Sequence, residues 1–355
     1  MKDNRSFCET ERIIDLYLVP AFGKRQIGEI KRSEISALLG RIERREFETK
    51  DKRKLGGPVM ADRVLAQVRK MMNWYAAKSD LPNSDDFTSP IVKGMARTKP
   101  KERARHRILD DDEIRALWSA LDKPMADKRA APDLWADFVK TLFLSVQRRD
   151  EVAGMKRSEH RDARAWQIPA ERHKTGKEGK PLIVPLPRAA LAIIANVPQV
   201  NDSDLVFTTN GKTAFSGFSR AKARLDRDMI AELRKVATAR KDATKLAELD
   251  EISRLLEVVS RGRDKEARKE AREKLKTAWW TLHDLRRTGK TLMSRVGVTP
   301  FISERVLGHM IPGIEGNYDC WQYVEEKRKA LEKLARVIEQ ITGGNVVPMK
   351  RKRAA

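Results

Sequence analysis

HDLRRTG, residues 283–289, is the stretch on which the reading of the whole chain turns. His283 and Arg286 stand three residues apart, a spacing that puts both side chains on one face of a helix. Working outward, short segments on either side complete a pattern. Downstream, VLGH ends at His309, and GNYDCW holds Tyr318 nine residues later. Upstream, SVQRRDEVAGM (145–155) carries Arg148 with Glu151 three residues on, and HKTGKEGK (173–180) carries Lys174. Each segment is weak alone, and their order is the signal.

The residue types suit one chemistry. Two arginines make paired, charge-assisted hydrogen bonds to the non-bridging oxygens of a phosphate and stay charged at any physiological pH. A tyrosine hydroxyl, with a pKa of about 10, is a poor nucleophile unaided, so attack on phosphorus needs a base or a strongly stabilised phosphorane-like transition state. Histidine suits the first role. A lysine in a turn can protonate a departing sugar oxygen that otherwise leaves as a high-energy alkoxide. From the residues alone, Arg149 competes with Arg148, Arg287 with Arg286, and Lys177 and Lys180 with Lys174. Of the four tyrosines, Tyr17 and Tyr75 fall on apolar helix faces and read as core, which leaves Tyr323 as the rival of Tyr318.

Together these motifs resemble the signature of the tyrosine recombinases, the phage-integrase family. In that family an Arg, a Lys, a His-x-x-Arg, a second His or Trp, and a Tyr nine residues after it build the active site. The resemblance runs from Arg148 to Tyr318, and the helical amino-terminal unit is similar to the family's core-binding domain. It implies that Arg148 and Arg286 clamp the scissile phosphate, His283 assists proton transfer at the attacking tyrosine, and His309 hydrogen-bonds the phosphate. Lys174 is then the general acid toward the 5' oxygen, Glu151 orients the site, and Tyr318 is the nucleophile. Arg148 is preferred to Arg149 because in the family the acidic residue follows the catalytic arginine by three, and the same alignment favours Arg286.

The resemblance further implies a site-specific recombinase, the integrase of a phage or other mobile element, working through a 3'-phosphotyrosyl intermediate without ATP, redox cofactor or metal. Its expected partners are double-stranded DNA attachment sites, three further copies in a homo-tetramer on DNA, and accessory directionality or DNA-bending proteins. A type IB topoisomerase-like relaxing enzyme and a non-catalytic DNA-binding protein of the same fold are the alternatives. Two departures stand out. The chain starts where the core-binding unit should begin, as in a simpler recombinase or one lacking its upstream part, and a long insertion separates Lys174 from His283.

Composition agrees with a polyanionic partner. The 74 basic and 51 acidic residues leave a formal charge of +23 and a pI near 10.1, and basic surfaces bind nucleic acid by releasing condensed counterions. At 40% hydrophobic residues the chain has enough apolar mass for real cores, unlike a disordered chain of similar charge. Its 355 residues predict two domains. No run approaches the roughly 18 apolar residues of a membrane helix, and MKDNRSFCETER lacks a signal-peptide core, which predicts a cytoplasmic, nucleoid-associated protein. Cys8 and Cys320 fit no metal-ligand spacing and are expected as reduced thiols.

The expected fold is mainly α with a small antiparallel β-sheet. Residues 1–96 form a helical core-binding domain, from the apolar stripes Ile13–Leu16–Tyr17, then Ile35, Leu38, Leu39 and Ile42 with Ser33 as N-cap, then Ala61 to Tyr75 after Gly57 and Pro58. A basic linker, 97–108, leads to a catalytic domain, 109–355, opened by a capping box at Asp110. An apolar helix from Asp133 is expected to end at Arg148 and Arg149. Alternation at Trp166 and Ile168 and at Leu182, Val184 and Leu186 predicts two strands joined by the HKTGKEGK turn. Residues 227–278 read as a charged helical hairpin broken at Gly262, either a solvated protrusion or an arm toward DNA or a neighbouring subunit. A helix and basic tail close the chain at 324–355. Leu331, Leu334, Ala335 and Ile338 pack that helix either on its own domain or on a neighbour's.

Overall fold

The computed structural model describes residues 7–49, 52, 54–78, 86–99, 102, 104–123, 134–160, 165–173, 181–309 and 322–343. The chain divides into two compact units, Met1–Ala104 and Arg105–Ala355.

In the first unit, α1 (Phe7–Ile13) runs through a π-helical turn at Ile14–Leu18 into α2 (Val19–Phe22), followed by α3 (Arg32–Glu43) and α4 (Pro58–Ala76). Their apolar stripes close on one core of Ile13, Tyr17, Ile35, Leu39, Val64 and Met72. Two details differ from expectation. Helix α3 begins at Arg32, so Ser33 lies inside it; the Lys31 amide donates at 2.9 Å to the carboxylate of Glu34, which satisfies the helix start without a serine. Two-residue strands β1 (Phe47–Glu48) and β2 (Lys54–Leu55) also pair antiparallel, too short for any sequence period to announce.

The stretch expected as a basic linker is held at its ends. The Arg97 amide donates to Asp62 at 2.6 Å and the Thr98 amide to the same carboxylate at 3.1 Å. In the second unit Arg105 pairs with Asp284 at 2.7 Å and Arg107 pairs with Glu113, both carboxylates being buried. A buried carboxylate needs a counter-charge, and this basic stretch supplies two.

The second unit opens at α5 (Asp111–Asp122), capped as the DDDE motif predicts. Asp110 accepts the Glu113 amide at 2.8 Å and its own amide donates to Glu113 at 3.0 Å. Then come α6 (Leu134–Ser145) and the short α7 (Arg149–Ala153). Strands β3 (Ala165–Ile168) and β4 (Leu182–Pro185) pair antiparallel with Trp166 opposite Val184. Buried Trp166, Ile168 and Val184 put their alternation on the core side, as read from the sequence. Helix α8 (Arg188–Asn196) packs on α6.

The insertion is built from α9 (Phe218–Ala239), α10 (Ala243–Arg261) and α11 (Lys265–Ala278). The break falls at Gly262, as expected, but the expected start at residue 227 lies inside α9. This is only partly a solvated protrusion. Helix α9 packs on α5, and Leu249 and Ile252 of α10 join the main core. Its outer faces carry local ion pairs such as Arg254–Glu251 and Lys274–Glu270.

Helices α12 (Leu282–Arg295), α13 (Pro300–Val306) and α14 (Val324–Thr342) complete the unit. Helix α14 packs on its own domain, against α13, β4, α5, α12 and α6, with Leu331, Leu334 and Ile338 fully buried. Among the described residues no helix is long and apolar enough to cross a membrane.

Candidate active site

The site starts where α6 stops. Val146 has φ +49, a left-handed conformation that β-branched residues avoid, and it is fully buried. That kink turns its carbonyl toward α12, where the Arg286 Nη1 donates to it at 2.6 Å. Gly289 makes room, since a Cβ there would lie 2.2 Å from Val146 Cγ1. Next along the kink, the buried Gln147 Nε2 donates to the Ser145 and Val306 carbonyls, both at 2.9 Å, and ties the turn to the end of α13.

Arg148 therefore does not end the apolar helix, as expected, but stands as N-cap of α7. The reason is the kink at Val146, which interrupts the helix without a glycine or proline to mark the break. Glu151 serves the cap and the side chain together. Its carboxylate accepts the Arg148 amide at 3.0 Å and the Arg148 Nη1 at 2.9 Å, while Glu151 is itself buried.

On α12, Thr281 and Asp284 form the N-terminal capping box, and Asp284 also takes Arg105 and Arg287. The HDLRR motif thus splits by face. Arg287 turns to Asp284 at 2.5 Å, whereas Arg286 points inward at 5% exposure and donates to the Leu307 carbonyl at 2.5 Å as well as to Val146. Burial, with Arg148 close by, lowers the Arg286 pKa to about 10, so the guanidinium stays charged at neutral pH.

Helix α13 ends at Val306, and the chain turns through Gly308, φ +62, to His309. A Cβ at Gly308 would meet His173 Nε2 and Leu182 Cδ2 at 2.7 Å, which is why only glycine fits this turn. The His309 Nε2 lies 3.3 Å from Arg286 Nη2, and its Nδ1 contacts Glu304.

The structure thus brings Arg148, Glu151, His283, Arg286 and His309 into one electrostatic neighbourhood. Lys174 and Tyr318 lie outside the described residues, as do Lys177 and Lys180. The rivals that are described face elsewhere. Arg149 pairs with Asp150 at 2.7 Å and lies over the Phe218 ring. Tyr323 packs against Phe301 with the Arg305 guanidinium 4.3 Å from its ring centre. Tyr17 is buried against Phe47, and Tyr75 packs on Phe87. Val146, Gln147, Gly289 and Glu304 escaped sequence reasoning, because nothing local connects them to residues up to 159 positions away. Such a cluster, with a second arginine and two histidines around one buried guanidinium, has the chemistry to bind an oxyanion and steady charge that grows on it.

His283 is exposed at the rim, one turn before Arg286. Partial desolvation, with Arg287, Arg286 and Arg148 outweighing Asp284, lowers its pKa below the ordinary 6.5. It is then neutral at pH 7 and able to accept a proton. Because the unfolded chain takes that proton first, His283 costs no stability above about pH 6.5 and an increasing amount as pH falls below it. Urea unfolding between pH 7.5 and 5 should therefore show the wild-type midpoint dropping faster than that of His283→Gln. Parallel curves would mean that the ring titrates alike in both states.

No protein-family model and no curated protein matches the chain. Among solved structures it is similar to a lambda integrase fragment, a dimer bound to a COC' core site, with 14% identity over 87% of this chain and 89% of that one and a TM-score of 0.49. A lambda integrase tetramer bound to a Holliday junction gives 14% identity over 88% and 74% with a TM-score of 0.48. A Tn1549 transposon integrase fragment in complex with transposon right end DNA gives 14% over 94% of each chain and 0.49.

Proposed function

We propose that this chain is a site-specific DNA recombinase that cuts and rejoins DNA through a 3'-phosphotyrosyl link on Tyr318. The observation that carries the reading is the Arg286 guanidinium. It is buried, aimed by two backbone carbonyls, and set beside His309 and the Arg148–Glu151 pair. A charge so costly to bury needs a reason, and a phosphate held at the same spot provides one. In the reaction Arg148 and Arg286 bind the non-bridging oxygens and draw off charge as the Tyr318 oxygen adds to phosphorus. The neutral His283 receives the tyrosine proton. The 5' oxygen leaves with a proton from Lys174, and its later return on another strand reseals DNA and frees the tyrosine. Phosphotyrosine conserves the bond energy, so the cycle needs no ATP.

The partners proposed are duplex attachment sites and a ring of four chains on DNA, in the service of a mobile element. The test is covalent capture. A library of nicked random-sequence duplexes is incubated with the full chain, and DNA attached to protein through denaturation is recovered and sequenced. Trypsin then releases residues 306–327, which hold both Tyr318 and Tyr323. A nucleotide located on Tyr318 is expected. Its location on Tyr323 would move the nucleophile, and no adduct on duplexes that the chain demonstrably binds would leave a DNA-binding protein without catalysis.

A further inference from the structure

Glu304 lies outside the residues expected to act, yet its carboxylate reaches the ring of His309. Three contacts meet on it: Oε2 with His309 Nδ1, Oε1 with Lys290 Nζ, and its backbone carbonyl with the His309 amide at 3.1 Å. The other ring nitrogen, Nε2, is 3.3 Å from Arg286 Nη2. A guanidinium can only donate, so Nε2 is the acceptor of that contact and the ring proton belongs on Nδ1, facing Glu304. In that state His309 has no proton to offer an anion.

A bound phosphate changes the arrangement. Its oxygens take the Arg286 N–H, Nε2 is released to gain one proton from solvent, and the imidazolium presents Nε2–H to the phosphate while Nδ1–H stays on Glu304. We propose that Glu304 is the positioning residue that lets His309 become a cationic donor to the scissile phosphate, a role that rests on the function proposed above. The charges around the ring explain the need for it. Helix α12 contributes Arg286 and Lys290, and the start of α7 contributes Arg148 with Glu151 already bonded to it. An imidazolium without Glu304 would meet three cations and one committed carboxylate. Burial raises the Glu304 carboxyl, but the bonds from Lys290 and His309 prevail and hold it below the usual range, so it is ionised when the phosphate arrives.

The test uses the full chain and a duplex recovered by covalent capture. Glu304→Gln keeps an oxygen for Nδ1–H and removes the charge. Single-turnover adduct formation should slow about 10- to 100-fold, the scale seen when a metal-bound histidine loses the carboxylate that orients it. The alkaline limb of its pH profile should move to lower pH while gel-shift affinity holds. In a His309→Gln background the same change should matter less than about twofold, because the two residues act as one unit. Lys290→Met, which removes the other bond to Glu304 and one of the three cations, should not move the alkaline limb to lower pH. Equal losses from Glu304→Gln and Lys290→Met would show only a brace between α12 and α13 and overturn the proposal. Nitrogen-15 spectra of the five histidines supply a readout that needs no DNA. Arg286 still holds Nε2 as acceptor in Glu304→Ala, so the proton stays on Nδ1 but its resonance should move upfield, and an unmoved Nδ1–H resonance would overturn the pairing. Failure of the recombinase reading itself shows differently, as no adduct from the wild type.

Discussion

Arg286→Lys is expected to fold and bind DNA but to form the covalent adduct about a thousandfold more slowly, the scale seen when one preorganised donor to a developing oxyanion is lost. The reason is the fork of the guanidinium. Nη1 and Nη2 reach two carbonyls on different segments, Val146 and Leu307, and the same planar group meets His309. A lysine ammonium is a single point on a flexible stem and cannot hold both carbonyls while presenting a donor to phosphate. One carbonyl is left unpaired in a buried place, which costs about 1 to 3 kcal/mol of stability. Single-turnover adduct assays with a parallel gel shift separate the two effects. Arg287→Lys is the control, since Arg287 faces Asp284 and should lose only a few-fold at most. Equal losses from the two variants would mean that Arg286 has no special place at the phosphate.

Gly289→Ala should destabilise the second unit by about 3 kcal/mol, the upper part of the range for overpacking a tight core. For a domain of this size that lowers Tm by about 6 to 12 °C. The sign is the test, because alanine in a helix interior normally gains about 1 kcal/mol over glycine. Here the added carbon would sit 2.2 Å from Val146 Cγ1, with Leu334 Cδ2 behind it at 3.6 Å. Neither Val146, kinked at φ +49 and fully buried, nor α14 behind it has room to yield. Val146→Gly removes the clashing carbon and relieves the left-handed strain. The double variant should therefore exceed the sum of the single changes by at least about 1 kcal/mol. Thermal unfolding of the three variants decides it, and a higher Tm for Gly289→Ala alone would contradict the packing.

These two sites also mark the limit of what the sequence discloses. Elements announced by local physics were legible: the capping box at Asp110, the alternation of β3 and β4, the stripe of α4 behind Gly57 and Pro58, and the His283–Arg286 pair one turn apart. Each depends on residues within a few positions of one another. The interruption after Ser145 was not legible, since a valine in a left-handed turn carries none of the usual marks of one. Nor was Glu304, whose link to His309 spans the end of a helix and follows neither the three- nor the four-residue rule. The insertion misled in a different way. Its charge density is real, but the apolar side chains of α10 pack between α9 and α11 and join the main core, which no local window contains.

The distances along the chain over which this pocket closes have a further consequence. Arg286 meets Val146 140 residues back, the Leu109 amide meets Thr288 179 residues on, and Arg115 reaches the Ile341 carbonyl across 226. Contacts so remote form late and slowly, because each must first overcome the entropy of closing its loop. A nascent chain on the ribosome can present basic surface to DNA well before α12 has emerged, but Val146 then has no arginine to aim and Glu151 no second cation to balance. Under the proposed function, the ability to break DNA arrives only after α12 has been made, and a polypeptide that has not yet grown through α12 holds its substrate without harming it.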